Sequence, residues 1–472
     1  HHWVRGSCYF GIMPANGMLY VPPHNCACYV RAKLAGFMAL KSDRNHPSQH
    51  GEPTGFQRGP AYGTTGPESG STKPGDWPTY RHDAARSGQA STPVSSELVS
   101  GWNTKLAGEL TSPVVAGGRV FVAEKARHRI VALDAENGER LWQYTAGGRI
   151  DSPPTIHHGL ALCGSRDGLV YSLKASDGTL VWRFRAAPRS RRIVSLGQPE
   201  SAWPVHGSVL VQEDVVYCAA GRSSYLDGGI HLYGLRPHSG KEIFHTLLDS
   251  REMESIRDVV EKGIDPVDYR GSRQEYEVKH HPSEMVDRRG VDGFLNDVLS
   301  GDGEHVFMRH QVFDLRGNLQ PDTIPHLHGP DGYLSDNTTP RLQWVYGPSY
   351  TSLHQGAFYD RRLSRVLYPS GRIMVEGDDY VYGFGRNHYK KLTPPRPGGQ
   401  WALFAAPKNL DHLQKGLPLT RYRRQTVKGK VAVDYEWWKK LPVHVWAMVQ
   451  SDDTLFVAGP THRRESAWSG EG

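Results

Sequence analysis

Three residues suited to proton transfer beside a bound carboxylate lie within twenty positions of one another: His206, Arg222 and Tyr225. An arginine can neutralise a uronate while a histidine or tyrosine takes the proton next to it, which is the chemistry of a lyase acting on acidic polysaccharide. Upstream, Arg185, Arg189, Arg191 and Arg192 place four guanidinium groups in eight residues. Such a cluster, with Arg189, Arg191 and Arg192 as its core, grips carboxylates, sulfates or phosphates through paired hydrogen bonds. The competing reading is an exposed basic loop, whose charges contribute little.

A second group of reactive side chains is Cys8, Cys26 and Cys28, set in a Gly- and Pro-rich stretch. A disulfide from Cys8 to Cys26 or Cys28 is the leading expectation, with the pairing open. Zinc or copper thiolates with His24 as a fourth ligand are the alternative, and no metal site is assigned. No Cys-x-x-Cys-His run is present, so a c-type haem is not indicated. Cys163 and Cys218 lie inside strand-like runs and read as buried thiols acting as small hydrophobes.

The elements that must carry these groups are written as a repeat. Ser112-Pro113-Val114-Val115 returns as Ser152-Pro153-Pro154-Thr155, and Gly118–Val122 returns as His158–Leu162. Ala132-Leu133-Asp134 through Gly138 to Trp142 returns as Ser172-Leu173-Lys174 through Gly178 to Trp182, always offset by 40 residues. A period near 40 built from short strands and glycine turns signals the four-stranded blades of a β-propeller. A lone blade cannot bury both faces, and Trp142 and Trp182 are large flat side chains suited to docking one blade on the next. A third copy aligns Glu213–Ala219 with 117–123, and Phe244 replaces the tryptophan. This copy is lengthened around Ser223–Gly228, and a longer loop in a rigid repeat is where binding is often placed.

Turn-then-strand segments recur near residues 17, 118, 158, 214, 303, 379 and 453. They predict an all-β chain forming a propeller of seven or eight blades, with eight preferred. Residues 1–40 read as a partial blade with the Cys cluster, able to complete the ring and remove a sheet edge. Residues 41–77 read as a Gly/Pro-rich arm or linker, and 78–250 as regular blades, with Leu98–Leu106 a strand candidate carrying Trp102. Residues 251–292 read as a charged excursion and 293–472 as divergent blades.

Composition narrows the class. Hydrophobic residues make up 38% of the 472, no run of about 18 apolar residues exists, and no transmembrane segment is predicted. The net charge of +7 is mild for this length and accompanies no nucleic-acid recognition motif, so no nucleic-acid partner is predicted. It leaves acidic partners, such as an anionic glycan, as candidates. The chain begins His1-His2-Trp3, which reads as a processed form or a piece of a longer protein.

Ala132-Leu133-Asp134, Gly138 and Trp142, with their copies up to Trp182, resemble the tryptophan-docking repeat of PQQ-binding-like β-propellers. Met13–Gly17 and Ala202–Ser208 resemble segments of the long, divergent bacterial members. The resemblance covers Ser112 to Phe244 and implies a secreted or periplasmic propeller. That family includes quinoprotein alcohol dehydrogenases, which use PQQ and calcium, and an outer-membrane assembly propeller that binds no quinone. Quinoprotein dehydrogenases carry a vicinal Cys-Cys disulfide, whereas this chain has only Cys26-Ala27-Cys28. The expected function is therefore a binding or scaffold module within a larger protein, partnered by its other domains or by separate proteins. The alternatives are a PQQ- and calcium-dependent dehydrogenase and the polysaccharide lyase.

Overall fold

The computed structural model describes residues 11–22, 37–41, 55–66, 73–249, 294–320, 324–329, 332–334, 344–348, 368–386, 401–410 and 435–461. Cys8, His24, Cys26, Cys28 and the predicted excursion at 251–292 lie outside them. Among the described residues the regular structure is strand apart from a 3-10 turn at Lys125–Arg127, and the antiparallel sheets form a β-propeller.

Blade A comprises Val114–Ala116, Arg119–Glu124, Arg129–Asp134 and Arg140–Thr145. Blade B comprises Thr155–His157, Leu160–Gly164, Leu169–Lys174 and Leu180–Arg185. Blade C comprises Leu210–Gln212, Val215–Ala220, Ile230–Leu235 and Glu242–Leu248. Each is a meander in which every strand pairs with its sequence neighbour. Further sheets follow at residues 300–320 (blade D), 326–371 (blade E), 373–439 (blade F) and 447–458 (blade G). A separate three-stranded sheet joins Met13–Ala15, Met18–Val21 and Met38–Lys41.

The core lies between blades, as expected of sheets that cannot bury both faces alone. One cluster joins Phe121, Ile130 and Trp142 of blade A to Ile156, Tyr171 and Leu173 of blade B. The next joins Val181, Trp182 and Phe184 of blade B to Val216, Tyr233 and Leu235 of blade C. Trp142 donates its indole N–H to Ala175 O at 3.1 Å, and Trp182 donates to Pro237 O at 2.7 Å. Both rings lie over the glycine of the next blade's last turn: a Cβ would stand 2.6 Å from Trp142 at Gly178 and 2.8 Å from Trp182 at Gly240. Trp102 makes the same approach to blade A, donating to Ala135 O at 3.0 Å.

Three segments depart from the sequence-based expectation. Leu98–Leu106 forms no strand; Leu98 and Val99 are exposed, and Trp102, Thr104 and Leu106 anchor the stretch to blade A. Phe56–Arg58, inside the expected linker, pairs antiparallel with Leu180–Arg185 and gives blade B a fifth strand. Residues 77–90 begin no blade and instead cross the hub.

That hub segment touches inner strands around the ring. Trp77 bridges Val115 of blade A, and Pro78 O accepts from Ile156 N of blade B at 2.7 Å. Ala84 O accepts from Gly301 N of blade D, and Ser87 O from Glu376 N of blade F, both at 2.9 Å. Gln89–Ala90 then pairs in parallel with Ala447–Ser451, so the C-terminal sheet is joined by the start of the ring. Two buried arginines fill the segment's interior. Arg86 donates to Leu299 O, Val209 O, Thr79 Oγ1 and Tyr80 O, and Arg81 donates to the carbonyls of Arg86, Ser87 and Met374.

Candidate functional site

Antiparallel blades send two sets of loops to the same end of the ring: those entering each inner strand and those joining its second and third strands. On blades A to C this loop face collects a buried charged network. Asp151 stands in the connection entering blade B, and Arg166 in the second-to-third-strand loop of that blade. Glu200 and His206 enter blade C, and Arg222 lies in the equivalent loop of blade C.

Asp151 accepts from Arg149 Nε at 2.8 Å and from Arg166 Nε at 2.5 Å. Arg166 reaches onward to Glu200 Oε2 at 3.2 Å, and Arg222 closes on Glu200 Oε1. Both carboxylates are almost fully buried. Burial pushes the Asp151 carboxyl up, but Arg166, His206 and Arg149 outweigh it and hold it below the usual range. Burial, then the charge of Arg166, lowers Arg222 to about 10, so it stays cationic at neutral pH. The alternation Arg149–Asp151–Arg166–Glu200–Arg222 thus satisfies buried charges with one another, the condition under which such charges are tolerated.

The sequence-predicted residues fall around this chain. His206 and Arg222 are brought to one network, with His206 Nδ1 3.9 Å from Asp151 Oδ2 and Arg222 on Glu200. Tyr225 lies half-buried three positions beyond Arg222 on the same loop. Arg192 sits on a hairpin, Arg192–Ser195 with Gln198–Ser201, inserted between blades B and C. Gln198 reaches back to blade A, its Oε1 accepting from His128 Nε2 at 3.0 Å and its Nε2 donating to Ala126 O at 3.1 Å. Arg191 precedes the hairpin and pairs with Asp227 of the lengthened loop at 3.0 Å. Arg191 and Arg192 are exposed and Arg189 is half-buried. Asp151, Arg166 and Glu200 escaped sequence reasoning, because they lie in separate connections and only blade stacking unites them.

His206 is pushed down to about 3, first by burial and then by Arg166, with Asp151 opposing. The folded protein therefore refuses a proton that the unfolded chain accepts near pH 6.5. Its folded value is depressed, so stability falls as pH drops below 6.5 and continues to fall toward about 3. Between pH 7 and 5 this one group is expected to remove up to about 2 kcal/mol. His206→Gln should flatten that part of the profile, measured by urea unfolding at both pH values. An unchanged difference between pH 7 and pH 5 in the variant would refute the assignment.

PQQ would need cationic groups for its carboxylates and flat surfaces for its rings. Here Arg149, Arg166 and Arg222 are already committed to Asp151 and Glu200, whose charges would repel a carboxylated quinone. The charged network on blades A to C does not fit that cofactor.

Residues 84–273 match the family model described as outer membrane protein assembly factor BamB. The BamB of Burkholderia pseudomallei is 30% identical over 94 residues, which is 20% of this chain and 24% of that protein. The BamB of Nitrosomonas eutropha is 28% identical over 85 residues, 18% of this chain and 20% of that one. The chain therefore spans about a quarter or less of the length of these curated relatives. Among solved structures, the quinohemoprotein alcohol dehydrogenase ADHIIG from Pseudomonas putida HK5 aligns at 12% identity and a TM-score of 0.45, covering 82% of this chain and 69% of that one. BamB from Moraxella catarrhalis aligns at 13% identity and a TM-score of 0.27, covering 63% of this chain and 66% of that one. No helix among the described residues is long and apolar enough to cross a membrane.

Proposed function

We propose that this chain, a PQQ-like β-propeller repeat protein, is a binding and scaffold module working in the periplasm or outside the cell. The observation that carries the reading is the internal pairing of the loop face. Arg166 and Arg222, the groups placed to neutralise a substrate carboxylate, are held by Asp151 and Glu200. His206, the candidate base, stands 3.9 Å from Asp151 Oδ2, beside a carboxylate of the same network. These groups join four connections of blades B and C, which is structural work. The BamB relatives are outer membrane protein assembly factors, and a scaffold role of that kind suits the same repeats.

The contact surface in this reading is the inserted hairpin. It offers Arg191 and Arg192 beside exposed Val194 and Leu196, a mixture of cationic and apolar groups suited to an acidic protein surface. The test compares the wild-type chain with Arg189→Gln/Arg191→Gln/Arg192→Gln. Salt-sensitive binding to poly-glutamate, lost in the triple variant, is expected. In the same samples, polyuronate should yield no unsaturated uronate in ultraviolet absorbance, and added PQQ with calcium should give no dye-linked alcohol oxidation. Uronate turnover lost in Tyr225→Phe, or quinone-dependent oxidation, would overturn the reading in favour of an enzyme.

A further inference from the structure

The opposite end of the ring carries a cluster unconnected with the loop-face network. His157 and His158 lie at the turn after the inner strand of blade B, and Asp214 at the equivalent turn of blade C. Stacking of the two blades brings these turns together. His157 Nε2 lies 3.0 Å from Asp214 Oδ1, and the two imidazole rings are 4.1 Å apart between centroids. One nitrogen or oxygen from each of the three side chains lies within 4.8 Å of the other two. His238, from the last turn of blade C, stands beside them with its ring 6.4 Å from that of His158.

The backbone supplies a second observation. Blade A makes this turn with Gly117 and Gly118, at φ +58° and +71°. Blade B instead places His158 at φ +44°, and blade C places Glu213 and Asp214 at +49° and +53°. Left-handed backbone disfavours residues with a Cβ, and such strain collects where the side chain has work to do. Two of the three potential ligands thus occupy turn positions where blade A uses glycine.

We propose that His157, His158 and Asp214 bind a divalent transition-metal ion of the zinc class and clamp blade B to blade C. Two imidazoles and one carboxylate form a mixed nitrogen–oxygen donor set suited to zinc, and three protein ligands leave a fourth position for water or a further side chain. Calcium and magnesium instead prefer all-oxygen sets. An ion here replaces the direct His157–Asp214 hydrogen bond with bonds to both blades, so it stabilises the folded state by mass action.

The experiment is a zinc titration of the metal-stripped full chain by calorimetry, with thermal unfolding followed in parallel. His158→Gly and Asp214→Asn remove ligands while keeping residue types that tolerate φ > 0, so both variants should fold. The chain has 24 histidines, so zinc equivalents shared by wild type and both variants count as surface binding. The expected result is that each variant loses one equivalent, or binds it at least tenfold more weakly, together with the zinc-dependent rise in melting temperature. Identical stoichiometry and affinity in all three proteins would overturn the site, as would a wild type that binds no zinc. Preferential binding of calcium would overturn the metal class.

Discussion

Arg86→Met is expected to cost at least about 4 kcal/mol of stability, with about 1 kcal/mol or more for each of four acceptors left unpaired. The side chain is fully buried at the hub, and burial lowers its pKa to about 10, which still leaves it charged at neutral pH. Its guanidinium donates to Leu299 O at 3.0 Å, Thr79 Oγ1 at 2.7 Å, Tyr80 O at 3.1 Å and Val209 O at 3.3 Å. Replacing an entire buried ion pair with apolar residues can be harmless, because both partners leave together. Here three of the four acceptors are backbone carbonyls that no substitution removes. Methionine fills much of the space and satisfies none of them. Arg86→Lys keeps the charge but lacks the planar fork that reaches several directions at once, so an intermediate loss is expected. Urea unfolding followed by tryptophan fluorescence measures both. A loss under about 1 kcal/mol in the methionine variant would mean that these hydrogen bonds add little net stability and that apolar packing holds the hub.

The blades were legible because their signals are local. The 40-residue offset, the Asn137-Gly138 and Asp177-Gly178 turns and the tryptophans after them need only neighbouring residues to be read. The hub segment was not legible for the opposite reason. Thr79 to Gly88 has no alternating apolar pattern, and its partners lie from Thr155 to Gln450 in the sequence. Phe56–Arg58 sits in a polar, glycine-rich stretch, and its strand form depends on the free edge of blade B. The loop face stands between these cases. His206 and Arg222 were found by residue type and by the lengthened repeat, but their charge partners come from other loops and only ring closure reveals them.

Those partners give the scaffold reading a quantitative consequence at Glu200. Glu200→Gln is expected to lower stability by about 3–5 kcal/mol, the usual cost of breaking a buried ion pair by removing one charge. The side chain is 3% exposed and receives both Arg166 and Arg222, which are themselves 10% and 9% exposed. The glutamine amide has one acceptor oxygen for two guanidinium groups, and its NH₂ end turns a donor toward the other. One cation is thus left buried without a full counter-charge, and an external anion gains what Glu200 supplied. Sulfate should therefore raise the melting temperature of the variant more than that of the wild type. If the wild type responds to sulfate as strongly, its arginines are open to ligands despite their internal pairs. In that outcome the face is a carboxylate-binding pocket, and uronate chemistry through His206 and Tyr225 becomes the better account of this propeller.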